Sequence, residues 1–245
     1  MYSVYSMPRE TTAVLGAARP GFPAPKRTRS VVEEPSRQLI MGNPVLLVID
    51  IQRDWALPVA QAGINRMGGY EDVVGRAERL VASARTTGVP IVFFQESHRR
   101  SGVDFGRELD GEEGPHCLEG EPGTELWPTL VPLRDEYHIV KRRYSGFFGT
   151  ELTILLQGLH ADTLVLIGAL TDVCVHYTFV DAHQHDYHVR VVDDGVIGSS
   201  DARHLAALDA MEYLQSGARC TTEQAIEAFG SRAAEPSPVL MEVGR

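Results

Sequence analysis

The 245-residue sequence predicts an α/β fold of three layers (αβα), with helices on both faces of a six-stranded, mostly parallel sheet. Three observations carry that expectation. Short apolar runs recur along the chain. Between them lie segments with the 3.6-residue periodicity of amphipathic helices. The alternation of the two, with connections of a dozen or more residues, demands parallel strand pairing by crossover. Apolar residues make up 43% of the chain, enough for one well-buried domain and short for two.

The elements follow in order. VLLVID (45–50) is a continuous apolar run, as expected of a strand buried on both faces. Val73, Val74, Ala77, Leu80, Val81 and Ala84 share one face of a helix over 70–87, which Gly88 stops. PIVFFQ (90–95) is a second strand. Residues 96–124 form a long polar loop, of a length usually functional inside compact domains. A short helix at 124–130 and the strand YHIVK (137–141) come next. Thr150 caps a helix with Leu152, Leu155, Leu156 and Leu159 on its inner face. TLVLIGA (163–169) is the clearest strand, followed by a helix over 172–186 and the strand HVRVVD (188–193). Ser200 caps a helix carrying Leu205, Leu208, Met211 and Leu214, which Gly217 ends. ARCTT (218–222) is a weaker sixth strand, and a last helix covers 222–229. The domain therefore spans 41–232, between an extended N-terminal arm (1–40) and a Pro-rich tail (233–245).

Composition removes several function classes. The formal net charge is −10, which argues against nucleic acid or an anionic membrane as partner. No apolar run reaches bilayer-spanning length, and the N-terminus lacks the pattern of a signal peptide. Cys117, Cys174 and Cys220 are too few and scattered for a disulfide framework, so a reducing compartment, the cytoplasm, is expected. The arm has a net charge of +3 against a body of −13, a contrast that suits packing along a neighbouring subunit as well as a free tail.

In parallel α/β sheets ligands bind at the carboxyl ends of the strands. Strand one ends in Asp50. It precedes Ala56–Ala60, a stretch too irregular for a helix that Asp50 would cap. Strand three ends in Lys141, an ammonium costly to place after an apolar run unless it has a partner. Strand four leads through GALTDVCV (168–175) into a helix whose first turn holds Cys174, where unpaired N–H groups and the helix dipole lower a thiol pKa. An acid, a base and a thiol from three strand ends form a set able to activate a nucleophile and shuttle a proton. Cys117 and Cys220 read as buried small hydrophobes.

The segments VLLVIDIQRDW, HIVKRRYSGFFGTEL and LIGALTDVCVHYTFVDA resemble the isochorismatase-like cysteine hydrolases over residues 43–230. The resemblance implies a Rossmann-like isochorismatase-like hydrolase fold and a triad at Asp50, Lys141 and Cys174. It also implies a non-proline cis peptide joining Ala169 to Leu170, and an oxyanion hole from the backbone N–H groups of Leu170 and Cys174. The chemistry implied is amide hydrolysis through a thioester with release of ammonia, without a cofactor, by a homo-oligomer (dimer or tetramer) acting on a small amide or ureido compound.

Within that family, nicotinamidases hold a metal between an aspartate and histidines. Here QESHRRSG offers His98 alone, and no metal site is expected; His176, His183, His185 and His188 read as an exposed helix face. True isochorismatases cleave a vinyl ether and lack the cysteine. A vinyl-ether hydrolase without covalent catalysis and a non-catalytic binding protein on the same fold are the alternatives. RYSGFFGTEL (143–152) is similar to ureidoacrylate amidohydrolases, and Gln215 falls where biuret hydrolases place a substrate-binding glutamine. Trp55, His98, Phe148 and Gln215 are the candidate substrate contacts.

Overall fold

The computed structural model describes residues 38–233. Strands β1 (Pro44–Ile49), β2 (Ile91–Glu96), β3 (Tyr137–Lys141), β4 (Thr163–Ala169), β5 (His188–Ile197) and β6 (Arg219–Cys220) form one sheet in the order β3-β2-β1-β4-β5-β6. Every neighbouring pair is parallel. The chain winds outward from β1 through β2 to β3, then returns to lay β4 on the other side of β1. The switch point, where a crevice opens above the strand ends, therefore lies between β1 and β4.

All six residues of β1 are buried, and they alternate between two cores. Leu46 and Val48 pack with Val74, Ala77, Leu80 and Val81 of α2 (Tyr70–Thr87) and with Ala225 and Phe229 of α6 (Thr222–Ala233). Val45, Leu47 and Ile49 pack with Leu152 and Leu156 of α3 (Leu152–Gly158), Phe179 and Ala182 of α4 (His176–Gln184), and Leu208 and Met211 of α5 (Asp201–Leu214). A run apolar at every position is what a strand between two helical layers requires. No helix among the described residues is long and apolar enough to cross a membrane.

The expected helix over 70–87 is present, closed by Gly88 in the left-handed conformation. Ser200 caps α5 by accepting from the Arg203 N–H at 3.4 Å. Other boundaries differ for identifiable reasons. Instead of a helix at 124–130, a short turn at Pro122–Thr124 leads into extended chain bonded to the segment after β1, where Trp127 N–H donates to Ile51 C=O at 2.9 Å. Pro128 excludes a helix there, and the spacing of buried Leu126 and Leu130 imitates one. Strand β5 continues to Ile197, past Asp193 and Asp194, with a register shift against β4; the acidic pair interrupts the apolar pattern, not the strand. The sixth strand shrinks to two residues. A 3-10 turn (Arg53–Ala56) and a single turn α1 (Val59–Ala62) occupy the stretch read as irregular, but their caps are Gln52 and Pro58, so Asp50 caps neither.

The arm and tail fall mainly on residues 1–37 and 234–245, outside the described residues. At the arm's inner limit Ile40 is buried in the core, and α6 runs one residue into the range assigned to the tail.

Candidate active site

Asp50 follows β1 directly, with a left-handed backbone (φ 50°) that short polar residues tolerate. Lys141 closes β3, and Glu96, which closes β2, is its register partner. Gly168, the penultimate residue of β4, has a φ of +118°. A Cβ there would sit 1.9 Å from the Ile49 carbonyl oxygen, so only glycine lets β4 run this close to the end of β1. The Ala169–Leu170 peptide is cis, as the resemblance implied. The next residues, Thr171–Val175, form a π-helical turn before α4, and Cys174 lies within it. His204 anchors that turn through Thr171 Oγ1 at 2.9 Å, and Asp172 anchors it by accepting from the Ser199 N–H at 2.8 Å.

The three strand ends converge. Lys141 Nζ lies 2.8 Å from Asp50 Oδ2 and 3.3 Å from Cys174 Sγ. It is also 3.3 Å from Glu96 Oε2, which is 3.7 Å from the same sulfur. All four side chains are buried, with Lys141 only 1% exposed. Burial raises the Asp50 pKa to about 6 against the pull of Lys141. Glu96 resists the same burial because Lys141, His116 and His98 face it, and it stays ionised well below the usual range. Burial also opposes the Lys141 charge, but Asp50, Cys174 and Glu96 outweigh it and hold the ammonium firmly. The thiol departs from expectation. Burial lifts the Cys174 pKa well above its ordinary value, and Glu96 and Asp50 add to this against Lys141. Burial thus outweighs the Lys141 ammonium and favours the protonated sulfur.

These groups border a cavity with about 530 Å³ of empty space, its open mouth included. Trp55, Ile64, Ala169, Leu170 and Val173 supply its apolar wall; Asp54, Arg66, Glu113, His116 and Tyr144 supply polar groups. Gln52 braces the rim. Its amide donates to the carbonyls of Glu96 and Thr124 at 2.9 and 2.7 Å and accepts from the Glu96 N–H at 2.9 Å.

Residues 44–225 match the family model described as the isochorismatase domain. The chain belongs to the isochorismatase family. Among the relatives of this isochorismatase-family chain, a probable inactive nicotinamidase of Arabidopsis thaliana is 33% identical over 179 residues, covering 70% of this chain and 89% of that protein. A ureidoacrylate amidohydrolase of Methylobacterium radiotolerans is 28% identical over 187 residues, covering 68% and 72%. The crystal structure of an isochorismatase-like hydrolase from Alkaliphilus metalliredigens superposes with a TM-score of 0.67 at 30% identity, covering 77% of this chain and 100% of that one.

The other sequence-selected residues of this family member divide. Trp55 lines the cavity. Phe148 does not; its side chain is 65% exposed on the surface. Gln215 lies away from the cavity, beyond the C-terminal end of α5, where it accepts from the Val189 N–H at 2.7 Å and from Arg190 at 2.8 Å and so ties the start of β5 to that helix. Cys220 is a buried core residue. Cys117 is buried too, but on the cavity wall, with Sγ 3.5 Å from Asp54 Oδ2.

His98 is fully buried, stacked on Phe105 at 4.1 Å, and does not line the active-site cavity. Nor does it stand alone. Glu96, His98, Glu108 and His116 place one ligand atom each within 4.8 Å of one another, all buried. His98 Nε2 lies 3.2 Å from both Glu96 Oε1 and Glu108 Oε2. Glu108 Oε1 and His98 Nδ1 are buried without a hydrogen-bond partner. Two imidazoles and two carboxylates with unused lone pairs fit a divalent transition metal, a donor set beyond the lone His98 that the sequence offers. The fold assembles it by bringing Glu108 and His116 back to His98 from 10 and 18 residues away. Burial disfavours the imidazolium of His98, but Glu108 and Glu96 overcome it and raise its pKa to about 9. The site thus balances its acids with either protons or a metal, and a metal must displace those protons. Titration with Zn²⁺ at pH 7.5 is expected to fill one site per chain with proton release. His116→Ala should weaken binding by more than about tenfold; unchanged stoichiometry and affinity would exclude this ligand set.

Proposed function

We propose that the chain is a cysteine amidohydrolase that cleaves the C–N bond of a small carbamoyl, ureido or carboxamide compound and releases ammonia. The observation that carries this reading is Lys141 Nζ within 2.8 Å of Asp50 and 3.3 Å of Cys174 at the switch point of the sheet.

The reaction follows from the charges. Asp50 accepts the Cys174 thiol proton as the sulfur attacks the substrate carbonyl carbon, and the negative charge passes from the carboxylate to the sulfur within reach of the Lys141 ammonium. The carbonyl oxygen becomes an oxyanion, for which the N–H groups of Leu170 and Cys174 are the proposed donors. Collapse expels the nitrogen, which takes the proton from Asp50 and leaves as ammonia. A thioester remains. Water, deprotonated by Asp50, attacks it; the acid product departs and Cys174 recovers its proton. A metal held by Glu96, His98, Glu108 and His116 would act as a Lewis acid beside this site when bound. Vinyl-ether hydrolysis needs the acid but no thiol against a buried ammonium, so the position of Cys174 favours covalent catalysis. Three free, buried cysteines suit the cytoplasm, and the reading extends to a homo-oligomer acting on a small molecule.

Ammonia release from biuret, ureidoacrylate, N-carbamoyl amino acids, nicotinamide and simple amides tests the proposal. At least one is expected to be hydrolysed, and none being attacked at high enzyme concentration would reject it. The pH profile is a second check. Asp50 must be ionised to take the proton, and its pKa is about 6. Log kcat/KM should therefore climb with unit slope below about pH 6 and level off above it. A profile flat from pH 5 to 7 would remove Asp50 as the base.

A further inference from the structure

We propose that Arg66 is the specificity-determining residue of the cavity and binds the carboxylate of a ureido- or carbamoyl-acid substrate. In naming an amide-bearing acid this rests on the amidohydrolase reading, but the recognition itself is argued and tested separately.

Among the described residues, Lys141 and Arg66 are the lysine and arginine side chains at the active site, and their situations differ. Lys141 is committed to Asp50 and Glu96. Arg66, on the cavity wall, forms no ion pair with a carboxylate among the described residues. Its Nη2 donates to the Leu57 carbonyl at 3.0 Å and its Nη1 to the Met67 carbonyl at 3.4 Å. The guanidinium also lies over the Tyr70 ring, 4.8 Å from the centroid. The Met67 N–H is fixed in turn to the Gly198 carbonyl at 2.9 Å. The group is therefore held in place by neutral partners, and its charge is not cancelled by them.

A guanidinium carries five N–H donors, and two suffice for those carbonyls. Nε is buried and has no hydrogen-bond partner. A buried donor left unpaired is unfavourable, and a fork of Nε–H with a remaining Nη–H matches the two oxygens of a carboxylate. The rest of the wall selects the remainder of the substrate. Asp54 and Glu113 offer carboxyl groups on the same cavity, suited to accept from ureido N–H groups. A free anion without such donors would meet these acids unfavourably. A compound with a carbonyl for Cys174, N–H groups for Asp54 and Glu113, and a carboxylate for Arg66 satisfies each polar group. A neutral urea or simple amide leaves the Arg66 charge unmatched.

The test measures binding, not turnover, so its outcome is independent of whether ammonia is released. N-carbamoylglycine and its methyl ester are titrated calorimetrically into the Cys174→Ala protein at pH 7.5. The acid is expected to bind about tenfold or more tightly than the ester, as for a charge-assisted pair. Adding Arg66→Met should bring the ratio of affinities close to one. Arg66→Lys, which keeps the charge and loses the fork, should leave an intermediate ratio, and it serves as the folded comparison should the methionine variant not fold. Equal affinities for acid and ester in the Cys174→Ala protein, no binding of either, or an acid preference that survives both Arg66 substitutions would overturn the proposal.

Discussion

Cys174→Ala is expected to lower ammonia release by about 10⁴-fold or more, the scale seen when a covalent nucleophile is removed, while the protein stays folded. The Cys174 sulfur touches few polar groups. Lys141 Nζ at 3.3 Å is its strongest polar contact, and the same ammonium keeps its bond to Asp50 at 2.8 Å when the thiol is gone. No charge is left without a partner. The loss is confined to one small side chain beside a cavity that already admits solvent, so stability should fall by less than about 2 kcal/mol, below the range for larger core truncations. Cys174→Ser should be nearly as inactive, because a hydroxyl is a far weaker nucleophile and Asp50, with a pKa of about 6, is too weak a base to ionise it. Ammonia assays and circular dichroism on the purified variants decide the matter. An alanine variant retaining a tenth of the activity would point to direct attack by water, the route of a vinyl-ether hydrolase.

How far the site was legible depended on which rule each residue obeys. Asp50, Lys141 and Cys174 could be found because each ends or follows an apolar run, and parallel sheets gather strand ends on one edge. Glu96 obeys that rule equally. It was missed because the strand was ended at Gln95, one residue short, which handed the glutamate to the loop. His116 and Glu108 obey no local rule. They join His98 only through the path of the 96–124 loop, where the His98 N–H donates to Cys117 C=O at 2.7 Å and the Glu119 N–H to His98 C=O at 2.8 Å. Arg66 and Glu113 were equally silent, since an isolated charge in a polar stretch reads as surface. The thiol pKa failed differently. Its position after β4 is legible, but its pKa is set first by burial and then by Lys141, Glu96 and Asp50 from other strand ends, which sequence spacing does not reveal.

Lys141→Met should be the most destabilising single change in the site, costing about 3–5 kcal/mol at pH 8, as expected when one partner of a buried charge cluster is removed. Lys141 is the only lysine or arginine paired with Asp50 and Glu96 among the described residues, and all three side chains are buried. Methionine fills a similar volume, so packing is preserved and the loss reports charge. It leaves two carboxylates close together with no ammonium between them, and both pKa values must rise. The sign of the pH dependence follows. In the variant both carboxyls bind protons more readily than in the parent, so the deficit should begin to shrink as pH falls from 8 through the raised pKa values, above the parent's Asp50 value of about 6. Urea unfolding at pH 8 and pH 5.5 measures both effects. Adding Glu96→Gln should restore part of the stability at pH 8 by removing the repulsion between Glu96 and Asp50, but none of the activity, because Cys174 still lacks a cation to hold the thiolate. A Lys141→Met protein as stable as the parent at pH 8 would mean that Asp50 and Glu96 do not depend on this ammonium. The charge balance from which the reaction is derived would then fail with it.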